Sequence, residues 1–358
     1  MRAAWAMTVF TLILGVNGLR AQPKEVPPTE GQVQYRDRAA GGKVANLSGQ
    51  ITESIAGVKI KPNVGDSKSI LTGDIVDIVY NVTALYKLDY DSATKKEAAK
   101  GAPETVRKSL ADAANDYAGL VAKMKPDDPK LAPVRRHLEF KIANLRATLA
   151  DSPEQRDEAI GLLAKFRDTH KSAWQYPAVV LRLAGMFIDK EDFDNALKSY
   201  DELAKTEGVA KETKQSCDLL AIDVLMRGQR YADAEKRIAD ALRVLPPSDS
   251  QYGRMQIYQI GCQATRSVLD KVVAQLEAII AKSNDPGQKA LAYNTLGDAY
   301  RAKDRKKDAM WQYLWVDVVY NQDRVEHIKA MDRLARLFAE MNDTSHAEKY
   351  RYKLTIYR

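Results

Sequence analysis

The chain has 358 residues, 45% of them hydrophobic, which excludes a disordered composition and allows an extended core spread over more than one structural unit. Its formal charge of +7 arises from 55 basic and 48 acidic side chains that alternate closely, as between Tyr231 and Arg243, and such mixing reads as solvated helix faces rather than a nucleic-acid stripe. Two cysteines rule out a disulfide-dense scaffold.

Residues 1–21 carry an early basic residue, an apolar run from Ala6 to Val16, and Leu19-Arg20-Ala21 ahead of Gln22. This is the pattern of a secretory signal peptide. The run is short for a membrane span and no cysteine stands near it to take a lipid, so the expected product is extracytoplasmic, either periplasmic or secreted. An uncleaved N-terminal anchor in the inner membrane is the alternative.

Residues 22–32 are rich in proline and polar side chains and read as a linker. From 33 to 81 the period changes: Val44, Leu47, Ile51, Val58, Ile60, Ile70, Ile75 and Ile78 recur in short β-type runs broken by Gly41-Gly42, Gly57 and Gly73. Four or five such strands predict a small antiparallel barrel-like domain. Its strand pattern resembles SH3-like or Sm-like domains and contains no catalytic motif.

From Thr83 onward the pattern is helical, with a connector over 82–133 and a mainly α solenoid over 134–358. Ala159, Ala196, Ala234, Ala274, Ala309 and Ala347 each stand near the start of a helix, at intervals of 37, 38, 40, 35 and 38 residues. A period of this size predicts about six stacked helical hairpins whose faces are buried only by their neighbours. Helix starts are marked by Ser152-Pro153 with Gln155, by Tyr176-Pro177 and by Asp285-Pro286.

Within the period the residues resemble the tetratricopeptide repeat. Tyr293, Leu296, Gly297, Tyr300, Ala309 and Tyr313 fall at its aromatic, leucine and small positions, and Leu183, Ala184, Phe187, Ala196 and Tyr200 do so in an earlier unit. The units around Ala159 and Ala274 fit less well. The order of β-domain and repeats also resembles uncharacterised exported repeat proteins of planctomycete-type bacteria.

This resemblance implies a concave groove lined by four positions of each first helix. Carried onto this chain they are Asp223 and Met226; Gln256, Gln259, Gln263 and Arg266; Asn294, Asp298 and Arg301; then Lys329, Asp332 and Arg336. Amides, guanidiniums and scattered acids suit an extended peptide backbone and side-chain carboxylates.

No nucleotide-binding, hydrolase or zinc motif stands in the chain, and the four histidines have no metal-type spacing. The expectation is no catalytic residue, no metal and no cofactor. Trp311 and Trp315 share a helix face and are expected to pack against a neighbouring hairpin, with a ligand contact as the alternative. Cys217 and Cys262 are expected to be buried thiols, although a bond between them is conceivable. Tyr350, Leu354 and Tyr357 on one face of the last helix, with Tyr352 and Ile356 on another, point to self-association or partner docking at that end.

The functional expectation is a non-enzymatic protein–protein interaction scaffold of the cell envelope. It binds a protein or peptide partner, not nucleic acid, and has no stable membrane span after signal cleavage. The alternative is an accessory or substrate-binding subunit of an envelope enzyme or secretion complex, with the β-domain as its specific module.

Overall fold

A computed structural model describes residues 29–264 and 266–357, without the side chains of residues 103, 250 and 355–357. The signal-peptide segment, the linker up to residue 28 and the side chains of Ile356 and Tyr357 lie outside the described residues.

Among the described residues five strands come first: β1 (Thr29–Asp37), β2 (Lys43–Ser54), β3 (Gly57–Lys61), β4 (Lys68–Leu71) and β5 (Ile75–Tyr80). They form one antiparallel sheet in the order β4-β3-β2-β1-β5. Among the described residues no ladder joins β4 to β5, so the sheet is open at that edge and the expected barrel closure is not formed by backbone pairing.

β1 starts inside the stretch read as linker. Thr29 to Gln32 pair with Ile51 to Ser48, and Gly31 lies opposite Gly49. A Cβ at Gly31 would come within 2.7 Å of the Val79 carbonyl oxygen, so this polar run is a strand that its neighbours approach closely. Val44 also departs from expectation, being 60% exposed. Side chains alternate along a strand, and Ala45, Leu47 and Ile51 take the inward set on β2.

Helices α1 (Ala84–Glu97) and α2 (Pro103–Lys123) cover the apolar face, and Tyr90, Tyr117 and Leu120 share one core with Val33, Ile60 and Tyr80. The joint to the first helix of the solenoid, α3 (Ala132–Leu149), is ionic as well as apolar. Arg136 donates to Glu53 over 2.5 Å, while the Lys141 ammonium sits 2.9 Å from Asp77 and 2.8 Å from Glu97. Burial pushes the Asp77 carboxyl up, but His137 and Lys141 outweigh it and hold it well below the usual carboxylate range.

Six hairpins follow among the described residues. They pair α3 with α4 (Pro153–Thr169), α5 (Tyr176–Asp189) with α6 (Phe193–Lys205), α7 (Lys211–Arg227) with α8 (Tyr231–Val244), and α9 (Ser250–Ala264) with α10 (Leu269–Lys282). The last two are α11 (Pro286–Ala302) with α12 (Lys306–Val318) and α13 (Arg324–Glu340) with α14 (Thr344–Tyr357). Ser152 and Gln155 close the capping box read from the sequence, and Asp285 caps α11 by accepting from Gly287 N–H at 2.8 Å.

Ala159, Ala196, Ala234, Ala309 and Ala347 are buried between the two helices of their hairpins, but Ala274 is exposed. Val272, 1% exposed, holds that position on α10. With Val272 in place of Ala274 the intervals become 37, 38, 38, 37 and 38, so the repeat is more regular than its alanines suggest. The expected close approach is present in the fifth hairpin, where a Cβ on Gly297 would collide with the Tyr313 ring.

The hairpin turns are equally regular. Glu191, Gln229, Asp304 and Asn342 all adopt left-handed backbone, with φ of 59, 58, 56 and 61°. In each case the next N–H reaches back five residues: Asp192 to the Phe187 carbonyl at 2.8 Å, Arg230 to Leu225 at 2.8 Å, Arg305 to Tyr300 at 3.0 Å and Asp343 to Phe338 at 2.8 Å. This closes each first helix and places the next residue at the start of the second.

Candidate functional site: a groove with a closed floor

The first helices α7, α9, α11 and α13 wall a groove of about 890 Å³, whose lining extends to Ile188 and Phe193 in the second hairpin. Three of the left-handed turn residues, Glu191, Gln229 and Asp304, lie on its rim. The mouth therefore opens toward the hairpin turns.

The floor is tied across the curl of the solenoid. Lys329 on α13 places its ammonium 3.0 Å from Asp223 on α7, 3.1 Å from Glu326 and 3.4 Å from the Tyr258 hydroxyl on α9. Asn294 on α11 donates to Glu326 Oε2 at 2.9 Å and to its carbonyl at 3.0 Å. Arg254 at the start of α9 pairs with Asp323, the N-cap of α13. Ordinary repeat arrays make contact only between neighbours, whereas this one links its third and sixth hairpins.

Electrostatics keep the floor charged. Burial pushes Asp223 up, but Lys329 and Arg227 outweigh it and hold the carboxyl well below its ordinary range. For Lys329, burial acts downward and the Asp223 and Glu326 carboxylates hold the ammonium in its charged form. On the wall, Arg333 grips Asp298 with two hydrogen bonds of 2.7 Å, and Tyr313 donates to the same carboxylate at 2.8 Å.

The sequence-based groove residues divide into three sets. Asp223, Asn294 and Lys329 meet in the buried floor and are engaged with the protein itself. Asp298, Arg301, Asp332, Arg336 and Met226 line the groove, where Arg301 pairs with Glu340 and Arg336 with Asp332 at 3.2 Å. Gln256, Gln259, Gln263 and Arg266 are exposed and are not among the groove-lining residues, and Arg266 pairs instead with Glu235 on α8.

One cause accounts for all four misplacements. Aligning this unit on Ala274 shifts its register by two residues, about 200° around a helix, and so selects the opposite face. Anchored on Val272, the same positions fall on Arg254, Ile257, Gly261 and Ala264, and the last two do line the groove. Gly261 leaves room there, since a Cβ would meet Met226 Cε at 2.9 Å and Thr295 Cγ2 at 3.0 Å.

Arg227, Tyr258, Glu326 and Arg333 also build the site and were not singled out by sequence. Tyr258, Thr295 and Arg333 recur one place beyond an expected groove position, so the repeat itself carried that signal.

Elsewhere, Trp311 and Trp315 are 59% and 46% exposed, contrary to the packing expectation. They sit on the outer face of α12, where Trp315 stacks partly on Tyr293 at 5.9 Å. Cys217 and Cys262 are buried free thiols. On α14, Tyr350 and Leu354 are buried, with the Tyr350 hydroxyl donating to Asp317 at 2.9 Å, and Tyr352 is exposed.

From α3 to α14 the described residues form a stack of antiparallel helical hairpins. No family model matches the chain, and no curated protein matches it. Among solved structures it is similar to a tetratricopeptide repeat protein from Parabacteroides merdae, at 13% identity over 75% of this chain and 90% of that one, with a TM-score of 0.43. It is also similar to the apo form of RapI, at 15% identity over 77% and 75% with a TM-score of 0.44. A third likeness is to YrrB, a TPR protein with an unusual peptide-binding site, at 14% identity over 63% and 98% with a TM-score of 0.31.

Proposed function

We propose that the protein is a non-enzymatic interaction scaffold that holds a peptide or protein segment in this groove. The observation that carries the reading is the groove itself, about 890 Å³ of space walled by five successive hairpins. Its walls are set in advance by ion pairs and hydrogen bonds, which lowers the ordering cost of binding. Those polar groups are committed to one another, an arrangement suited to holding a partner rather than reacting with one. The pattern of residues 1–21 supports export, and the scaffold is placed in the cell envelope as part of the same proposal.

Ala302 lines the groove and is exposed, so Ala302→Trp sets an indole into part of the space without crossing the core. A library of random dodecapeptides displayed against the purified protein tests the reading. Peptides enriched on wild type are lost from Ala302→Trp while the melting temperature stays the same. Selected peptides that bind both proteins equally would overturn it.

A further inference from the structure

We infer that the segment held in the groove is basic, bearing lysine or arginine side chains that meet an acidic mouth. This rests on the binding role proposed above and goes against the carboxylate ligand suggested by the sequence.

The guanidiniums that favoured a carboxylate are already occupied. Arg227 pairs with Asp223 at 3.0 Å, Arg333 holds Asp298 through two bonds of 2.7 Å, Arg336 pairs with Asp332 at 3.2 Å, and Arg301 pairs with Glu340. What remains in excess is negative. Eight carboxylates line the groove against five basic lining side chains and the Lys329 ammonium of its floor, in a chain whose formal charge is +7.

That excess reaches the mouth. Glu191 and Asp304 occupy left-handed turns on the rim with exposed side chains. Glu191 makes no ion pair among the described residues, and Asp304, 88% exposed, has only Lys306 at 3.8 Å. Exposed carboxylates on a concave rim act over roughly one Debye length, about 8 Å at physiological salt, and attract cations approaching the opening.

Two further observations point to the same ligand. The floor already accommodates a primary ammonium, that of Lys329, between Asp223, Glu326 and Tyr258, with the Tyr258 ring centroid 5.9 Å away. On the wall, Arg333 Nη1 is buried without a hydrogen-bond partner. A main-chain carbonyl of a bound segment would satisfy that donor, while the segment's cationic side chains face the rim.

The test uses three fluorescein-labelled nonapeptides, Gly-Xaa-Ala-Xaa-Gly-Xaa-Ala-Xaa-Gly, in which Xaa is lysine, glutamate or serine. Fluorescence anisotropy is read on the full chain at about 50 and about 300 mM salt. The lysine peptide is expected to bind at least about tenfold more tightly than the serine peptide, the glutamate peptide least, and salt weakens the difference. Glu191→Gln with Asp304→Asn reduces lysine-peptide affinity about tenfold at unchanged melting temperature, and Glu191→Lys with Asp304→Lys transfers the preference to glutamate.

Equal binding of the three peptides, preference for glutamate, indifference to the mouth variants, or no binding of the lysine peptide overturns the inference. Ala302→Trp separates this failure from failure of the groove reading. Peptides lost on that substitution regardless of their charge keep the groove and remove the basic preference, whereas a lysine peptide that still binds overturns both.

Discussion

Lys329 on α13 places its ammonium 3.0 Å from the Asp223 carboxylate on α7, joining the third hairpin to the sixth. Because these side chains are buried, removing Lys329 leaves Glu326 without its ion pair and Asp223 with Arg227 alone. Lys329→Met is expected to destabilise the protein by about 3–5 kcal/mol in urea unfolding, and adding Asp223→Asn and Glu326→Gln recovers part of that loss. A loss below about 1 kcal/mol in the single variant would show that the tie is open in solution.

The same contact sets an acid limit. In the folded protein Asp223 titrates below its unfolded value because Lys329 and Arg227 outweigh burial, and Asp77 is lowered likewise by His137 and Lys141. A carboxyl with a depressed folded pKa contributes stability that is fully present above the unfolded value of about 3.9 and is lost as pH falls toward the folded value. These two groups contribute a constant stabilisation from pH 7 down to about pH 5 and a progressively smaller one below about pH 4. Urea unfolding midpoints across this range measure it in wild type and in Lys329→Met, where the acid-dependent component is smaller.

Packing at Ala309 and solvent at Ala274 give a paired test of the repeat register. Ala309→Leu must overpack the space between α11 and α12 and is expected to cost about 1–3 kcal/mol. Ala274→Leu adds the same side chain to an exposed face and is expected to stay within about 0.5 kcal/mol of wild type. Thermal unfolding of the two variants decides between Val272 and Ala274 as the interior position.

At the turn after α7, Gln229 holds φ at 58° without being glycine. An L side chain in that region costs about 1 kcal/mol, whereas glycine carries a backbone entropy cost instead. Gln229→Gly is therefore expected to raise stability by about 0.5 kcal/mol, and the β-branched Gln229→Val to lower it by about 1 kcal/mol. Equal unfolding midpoints for the two would count against a left-handed turn.

Burial pushes the Cys217 thiol up to about 12 and the Cys262 thiol up to about 11. Neither supplies much thiolate at neutral pH. Ellman's reagent should find almost no reactive thiol in the folded protein and two after denaturation without reductant. A single titrated thiol, or none, in the denatured sample would show a modified or bonded pair.

Local periodicity was enough to determine the helical hairpins, their number, the capping box at Ser152 and Gln155, and the small-against-aromatic packing of Gly297 on Tyr313, because each depends on residues close in the chain. It also determined that the segment after residue 33 is built of strands. The Thr29 strand start, the buried place of Val272 and the exposure of Trp311 were decided by partners elsewhere in the chain. The groove went furthest beyond the sequence. Repeat register named Asp223, Asn294 and Lys329 as polar positions on one side of their helices, but only the curl of the solenoid brings α7, α9, α11 and α13 around a common floor. Whether a lysine is a free surface cation or one end of a buried ion pair depends on which carboxylate lies across that curl, and curvature is a sum of small rotations between hairpins that no single repeat encodes.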